Sequence, residues 1–561
     1  MLSPSRFRIL AVGLGLWALI VWVRLAQVQV VHQERWQAEA MRQQERVIPL
    51  DERRGDIRTR DGRLLAGSLE RVAVYANPRQ IPRARWGEVA QRLSPLTGLT
   101  EAEIAKSLSE RTGFFYLGKD FSPDISRSVA RLNIRGVGTL PVERRVYPHG
   151  SLAGPVVGFV NIDGVGQAGL EASYQKTLAG SSGLYRLIQD GKRLPTALAL
   201  LQEKPGRPGL SLVLTIESRI QMVVEEELAR TVHEVGAEGA AGVVMDPITG
   251  EVLAMVSLPA YDPGAVGRAP REWWRNRAVE DALEPGSSFK PVVFAAALTS
   301  GVLRPSDVID CSGGGIQVAG AFIRDHAHYG MLPVRETLAK SSNVGAVRVA
   351  HRTDPSVLEN TIRALGFGQA TGVELPAEAR GILRPVGQWS ALSRAGLAIG
   401  QEVSASPIQM ARAYAVLANG GRLVRPTLVR ETRLPDGSPA TPFRPEPGDP
   451  VLSPQVAAIL RDFLETAVSD GTGRGAQLEG YRLAGKTGTA QKATGGGYGE
   501  GRHAAWFAGF FPAHNPRVVL VVCIDEPKST YWASAVAAPV VGRIAARLVT
   551  LLGLPPPGAL A

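Results

Sequence analysis

Apolar positions along the chain fall into distinct regimes. From Phe7 to Val31 the sequence is almost wholly apolar, and Ile9 to Val23 supplies 15 residues without a charge before Arg24 interrupts the run. Fifteen residues rise only ~22 Å as helix against ~30 Å of bilayer hydrocarbon, whereas the full 7–31 segment is long enough to span. A cleaved signal peptide needs small residues ahead of its cut site. Here the run continues as Arg24-Leu-Ala-Gln-Val28, so a retained transmembrane anchor is expected. Arg6 and Arg8 precede it, which assigns the tail 1–6 to the cytosol and the rest of the chain to the outside. Arg24 must then reach the outer interface or meet a partner inside the membrane.

Residues 32–46 are polar and free of Gly and Pro, and the pattern predicts a stalk that extends the helix. Over 47–205, short strand-like runs such as Val72-Ala-Val-Tyr75 alternate with Gly/Pro turns and one or two helices. The breaker cluster Glu203-Lys-Pro-Gly-Arg-Pro-Gly209 marks a domain boundary, placed at 205/206. Beyond it, Leu210 to Thr215 reads as a strand and Ile220 to Val232 as an amphipathic helix. Gly242 to Val256 reads as a β-hairpin turning at Asp246-Pro-Ile-Thr-Gly250. Helices then alternate to about residue 470, Trp506 to Ile524 returns to strands, and Val540 to Leu552 is the last helix before the tail 554–561. A mixed α/β, or α+β, body over 206–553 is therefore expected on a smaller irregular module.

Composition changes this picture little. The chain is 45% apolar and 20% charged, a globular profile. A net charge of +11 favours an anionic partner such as lipid headgroups or a wall polymer. No helix-turn-helix, zinc-finger or RNA-binding signature accompanies it, so nucleic acid is not expected. Cys311 and Cys523 are the only cysteines, too few for a disulfide framework, and whether they pair is left open. The run Val518 to Ile524 makes Cys523 a small buried hydrophobe.

Three short motifs carry candidate chemistry. Glu284-Pro-Gly-Ser-Ser-Phe-Lys290 opens an apolar helix, with Ser287 and Lys290 on one face of its first turn. A helix N-terminus favours a developing alkoxide, and a partly buried lysine can lose its proton and serve as base. Ser341-Ser-Asn343 offers a hydroxyl and an amide beside a turn. Lys486-Thr-Gly-Thr489 ends a short apolar stretch, and its Gly488 lets a substrate backbone approach closely. Each has a bland reading taken alone: a chance pairing like Ser173-Tyr-Gln-Lys176, a helix cap, an edge strand. Only 10 of the 63 basic residues are lysines, yet both cationic motif positions are lysine, as base chemistry requires. His326-Ala-His328 lacks a third ligand, so no metal and no cofactor are expected.

In the order Ser-x-x-Lys, Ser-x-Asn, Lys-Thr-Gly, these motifs resemble the signature set of the active-site-serine penicilloyl transferases. Arg54-Gly-Asp-Ile-Arg-Thr-Arg-Asp-Gly62, Arg145-Val-Tyr-Pro-His-Gly150 and Gly166-Gln-Ala-Gly-Leu-Glu171 are similar to the N-terminal signatures of class B penicillin-binding proteins, with Thr59 where an acidic residue is usual. Asn276-Arg-Ala278, Ala398-Ile-Gly-Gln-Glu-Val-Ser-Ala-Ser-Pro407 and Trp506-Phe-Ala-Gly-Phe-Phe-Pro512 resemble their transpeptidase domain. Tyr531-Trp-Ala-Ser534 departs from it, where paired glycines are expected. The chain is most similar to the septal, FtsI-type members.

That resemblance implies an elongated α+β pedestal (47–205) and a serine β-lactamase-like transpeptidase domain (206–553), an antiparallel sheet flanked by helices. It implies that Ser287 attacks the penultimate D-Ala carbonyl of a stem peptide, Lys290 takes its proton, and Ser341 passes a proton to the leaving D-Ala. Asn343 would hold a peptide amide, Lys486, Thr487 and Thr489 the donor carboxylate, and the Ser287 and Thr489 N–H groups the oxyanion, beside Gly488. An acceptor amine completes the cross-link, and β-lactams acylate the same serine. Implied partners are a SEDS-family glycosyltransferase and divisome proteins, at the bacterial inner membrane with the catalytic domain extracytoplasmic. The rivals are an elongation-type transpeptidase, a hydrolase such as a carboxypeptidase or β-lactamase, and a non-enzymatic penicillin-binding scaffold. Leu358-Glu-Asn360 superficially matches a deacylating glutamate motif but belongs to a plain helix pattern.

Overall fold

The computed structural model describes residues 4–31, 45–50, 52–189, 195–494 and 497–555. Helix α1 (Pro4–Ala26) is apolar and widens into a π turn over Gln27–Val31. Among the described residues, Arg8–Gln29 is the one stretch long and apolar enough to cross a membrane, and its apolar side chains are exposed. Arg24 donates to Gln27 Oε1 at 3.1 Å, so its charge has a local partner at the end of the span. The predicted stalk lies outside the described residues except for Glu45 and Arg46, which open a strand, Glu45–Leu50, instead of continuing a helix. Val47, Ile48 and Pro49 account for the change, two being β-branched and one lacking an N–H.

The chain packs as two units. The smaller comprises residues 1–53, 70–143 and 180–208. It holds an antiparallel sheet of Glu45–Leu50, Gly183–Gln189 and Pro195–Lys204. Its helices Trp86–Thr97 and Glu101–Glu110 bury Val89, Leu93, Ile104 and Leu108 against Phe115.

The larger unit comprises residues 54–69, 144–179 and 209–561. Its centre is a five-stranded antiparallel sheet of β1 (Gly239–Met245), β2 (Val252–Leu258), β3 (Ala484–Thr494), β4 (Gly497–Phe511) and β5 (Val518–Asp525), in the order β2-β1-β5-β4-β3. The run 518–524 is continuously apolar because both faces of β5 are covered. Val519, Val521 and Cys523 join one core; Val518, Leu520, Val522 and Ile524 join the other. The second core is closed by α2 (Ser218–Val235) and α7 (Ala537–Leu551). The first is closed by α3 (Lys290–Thr299), α4 (Asn343–Arg352), α5 (Pro407–Ala418) and α6 (Pro454–Ser469). From Lys290 to Leu298 every residue of α3 is buried, as a helix apolar on all sides must be. Cys311 and Cys523 are both buried and free.

Arg54, Arg145 and Glu171, one from each N-terminal signature, meet inside this unit. Arg54 Nε and Nη2 reach Glu171 Oε2 at 2.7 and 2.6 Å, and Arg145 Nε reaches Oε1 at 2.7 Å. Glu171 is fully buried, and its charge is satisfied by these guanidinium groups together with the Tyr147 hydroxyl, which donates to Oε1 at 3.4 Å. Gly55 lets the first segment lie flush against the carbonyl of Leu210, which a Cβ would overlap. Removing one partner of a buried ion cluster strands the others. Glu171→Ala is therefore expected to cost about 3–5 kcal/mol in urea denaturation, and an unchanged midpoint would contradict the triad's role.

Candidate active site

The serine motif does not start as an α-helix. Gly286–Phe289 forms a 3-10 turn, and α3 begins at Lys290. Ser288 Oγ donates to Pro285 O at 2.6 Å and Gly286 takes φ +54°, which tightens the entry. In a 3-10 turn residues i and i+3 eclipse, so Ser287 and Lys290 still share a face. The turn is fixed from behind: buried Tyr414 of α5 donates to Ser288 O at 2.7 Å, and Gly286 N donates to Gly400 O at 3.2 Å. The segment 398–407 that the sequence singled out, together with α5 which follows it, thus serves as its backing.

Lys290 is wholly buried, and Nζ donates to Ser341 O at 2.5 Å, Ser341 Oγ at 3.1 Å and Asn343 Oδ1 at 2.8 Å. Burial pulls its pKa down to about 7, against the opposing pull of the Asp325 carboxylate. Ser341 sits at φ +60°, a conformation rare for a residue with a Cβ, and it places backbone carbonyl and hydroxyl on the same ammonium. Asp325 organises this corner. Its carboxylate accepts from Ser342 Oγ at 2.7 Å, from Val344 N at 3.2 Å and from Asn343 N, capping α4. Asn343 Nδ2 in turn donates to Arg324 O at 2.7 Å, which aims Oδ1 at Lys290.

The third motif lies on edge strand β3. Lys486 is also fully buried, its Nζ donating to Thr487 O at 3.0 Å and Thr472 Oγ1 at 3.3 Å, while Thr472 and Thr487 share a 2.6 Å hydroxyl contact. Burial first, then the charge of Lys290, drives its pKa well below that of a free lysine. Thr489 Oγ1 accepts from Ala533 N at 3.0 Å. Gly488 makes room for the protein's own chain: a Cβ there would overlap Pro285 O and lie 2.6 Å from Ser288 N. All eight candidate residues, Ser287, Lys290, Ser341, Asn343, Lys486, Thr487, Gly488 and Thr489, therefore sit around one corner between α3, α4 and β3.

Residues 240–546 match the model of the penicillin binding protein transpeptidase domain, and residues 49–214 that of the penicillin-binding protein dimerisation domain. The chain belongs to the class B penicillin-binding proteins. It is 33% identical to stage V sporulation protein D of Bacillus subtilis, over 96% of this chain and 84% of that one. It is 33% identical to peptidoglycan D,D-transpeptidase FtsI of Escherichia coli K12, over 95% of this chain and 89% of that one. The solved structure of penicillin-binding protein 3 from Mycobacterium tuberculosis in complex with aztreonam superposes with a TM-score of 0.71 at 30% identity, covering 92% of this chain and 99% of that one. The chain is a peptidoglycan D,D-transpeptidase that binds β-lactams.

Within this class B site, Asp325, Thr472 and Tyr414 are supporting residues the sequence did not disclose. They lie 14 to 126 residues from the groups they touch, and no spacing rule links them. The Leu358-Glu-Asn360 segment falls in the helix Pro355–Ala364, where Glu359 accepts from Val386 N at 2.7 Å and pairs with Arg363. Its carboxylate is a structural brace. The departure at Trp532-Ala533 supplies the N–H that fixes Thr489.

Because Gly488 and Ser288 are in direct contact, Gly488→Ala is expected to push the serine turn off its seat. Penicillin acylation should fall by more than tenfold while the melting temperature stays within a few degrees. Wild-type acylation rates in that variant would show that the contact is soft.

Proposed function

We propose that this transpeptidase builds septal wall, with α1 as a single-pass anchor, the tail 1–6 cytosolic and residues 206–553 acting outside the membrane on a pedestal formed by 47–205. The observation that carries the catalytic assignment is the burial of Lys290 against Ser341 and Asn343. A lysine with a pKa near 7 is partly neutral at working pH and can take the Ser287 proton. Ser341 Oγ both donates and accepts, so it can return that proton to the departing D-Ala. Asn343 holds a donor amide, Lys486 with Thr487 and Thr489 holds the donor carboxylate, and the N–H groups of Ser287 and Thr489 receive the oxyanion. The acyl group then passes from Ser287 to an amine of a neighbouring stem peptide.

The septal assignment rests on Glu284-Pro285 ahead of the nucleophile, on the continuation Ser404 to Gly421, and on Asn515-Pro-Arg followed by Ile524-Asp-Glu-Pro527. The FtsI name carried by relatives supports it. An exposed apolar span with Arg24 near its end favours a membrane partner, a SEDS-family glycosyltransferase beside divisome proteins.

A fluorescent penicillin is expected to label the protein at Ser287. Ser287→Ala should abolish labelling and Ser173→Ala preserve it; labelling that survives the first change would refute the nucleophile. The acylation rate should climb with pH through about 7, as Lys290 sheds its proton, and level off above. Lys290→Arg cannot deprotonate and should lose roughly 10²–10⁴-fold, whereas Lys486→Arg retains charge and donors and should lose less. Equal losses would erase the distinction between base and clamp.

Depletion in the native bacterium tests the septal role. Filamentation or blocked constriction is expected; rounded cells that still divide would assign the protein to side-wall synthesis.

A further inference from the structure

The segment 324–329 is tied to the Ser-x-Asn motif at both ends. Arg324 O and the Asp325 carboxylate hold Asn343, and at the other end Tyr329 Oη donates to Lys340 O at 3.2 Å, one residue before Ser341. Between these ties sit two histidines with different surroundings. His328 lies against Gly314, whose Cβ would come within 2.8 Å of its Nδ1. His326 meets Tyr329 Oη through Nε2 at 3.1 Å, the rings edge-on with centroids 5.9 Å apart. A carbonyl can only accept, so the assignment that satisfies both contacts gives the tyrosine proton to Lys340 O and lets the tyrosine oxygen accept from Nε2–H. That leaves Nδ1 of His326 as the free acceptor.

His326 is solvent-exposed, one residue from the Asp325 carboxylate that holds Asn343. Crowding by surrounding atoms, then the positive charge of Lys290, pulls its pKa below that of a free imidazole; Lys486 adds to this and Asp325 opposes it. The groups that face it are thus Lys290, Lys486, Asp325 and Tyr329. No step proposed for acyl-enzyme formation uses it. The second half of the reaction, however, has an unmet requirement. The acceptor reaches the acyl-enzyme as an ammonium, R–NH3+, and has no lone pair until it loses a proton. Lys290 and Lys486 are wholly buried, and Lys290, which returns a proton to the Ser287 oxygen, accounts for only one of the two protons the amine must lose.

We propose that His326 Nδ1 is the proton acceptor that readies the incoming amine for attack on the acyl-enzyme. This rests on the reading of Ser287 as the acylated residue. R–NH3+ gives one proton to Nδ1 and becomes R–NH2. Its lone pair forms the C–N bond, the carbonyl electrons move to oxygen, and their return breaks the bond from carbon to Ser287 Oγ. The second nitrogen proton passes through Lys290 and Ser341 to the departing Ser287 oxygen, and His326 releases its proton to solvent.

The test uses the full chain in detergent, comparing His326→Gln with wild type. Fluorescent penicillin, which needs no amine, reports acylation and folding together. A D-alanyl thioester donor with a D-amino acid acceptor reports aminolysis against hydrolysis. The variant should acylate within about twofold of wild type, while its aminolysis-to-hydrolysis ratio at neutral pH drops on the order of tenfold to a hundredfold. The ratio should recover as the pH approaches the acceptor's own pKa, where the amine is already neutral. Tyr329→Phe, which frees the Nε2 side, should lower the ratio at neutral pH with the same alkaline recovery. An unchanged ratio in His326→Gln, or a loss that alkaline pH does not restore, would overturn the proposal. Failure of wild type to label at Ser287 would instead overturn the reading on which it rests.

Discussion

Two ammonium groups buried in one corner set the terms for everything around them. An ion removed from water must be paired, hydrogen-bonded or discharged. Lys290 and Lys486 are wholly buried, and the charge of Lys290 acts on Lys486. Their solution is hydrogen bonding, with no directly paired carboxylate among the described residues. Ser341 and Asn343 take one ammonium, Thr472 and Thr487 the other. Asp325 stays one layer back, holding the end of α4, so it supports Lys290 without neutralising it. A carboxylate in direct contact would keep the lysine protonated and useless as a base.

The same constraint explains why the sheet and helices are so heavily apolar near the site. α3, which bears Lys290, is buried along its length, and β3, which bears Lys486, is the edge of a sheet whose central strand β5 is covered on both faces. The glycines at 286, 400 and 488 then bring serine turn, backing loop and edge strand to van der Waals distance. Rigid packing gives the low dielectric, and the low dielectric gives the lysine its altered proton affinity.

Much of this was legible in the residues. The helix after Glu217 and the last helix follow from periodicity, because each buries one face, whereas the hairpin at 242–256 and the strands after Trp506 follow from short apolar runs bounded by turn residues, because both faces are buried. The three motifs were legible as chemistry, and their convergence follows. Harder to read was what acts at a distance in sequence. Arg54, Arg145 and Glu171 were visible as separate signatures, but only folding brings them onto one buried carboxylate. Asp325 belongs to none of the three motifs, and its hold on Ser342, Asn343 and Val344 spans 17 to 19 residues of sequence. Gly488 was attributed to an approaching substrate, whereas its contact is with Pro285 and Ser288, which neighbouring-residue patterns do not encode. The 3-10 entry to α3 depends on a side-chain bond from Ser288 that helix propensity does not capture.

The steric closeness of Gly286, Gly400 and Gly488 also bears on how such a protein can diverge. At each position an added carbon would meet backbone atoms closer than 3 Å and force the serine turn or its neighbours to move, so even the smallest substitution there bears on the reaction. Exposed residues beyond Thr489 carry no such restriction: Tyr531 and Trp532 are 40% and 50% exposed, and Tyr531 stacks on His503 at 4.1 Å. Inherited change is then easier at such exposed positions than at the glycines packed against the serine turn.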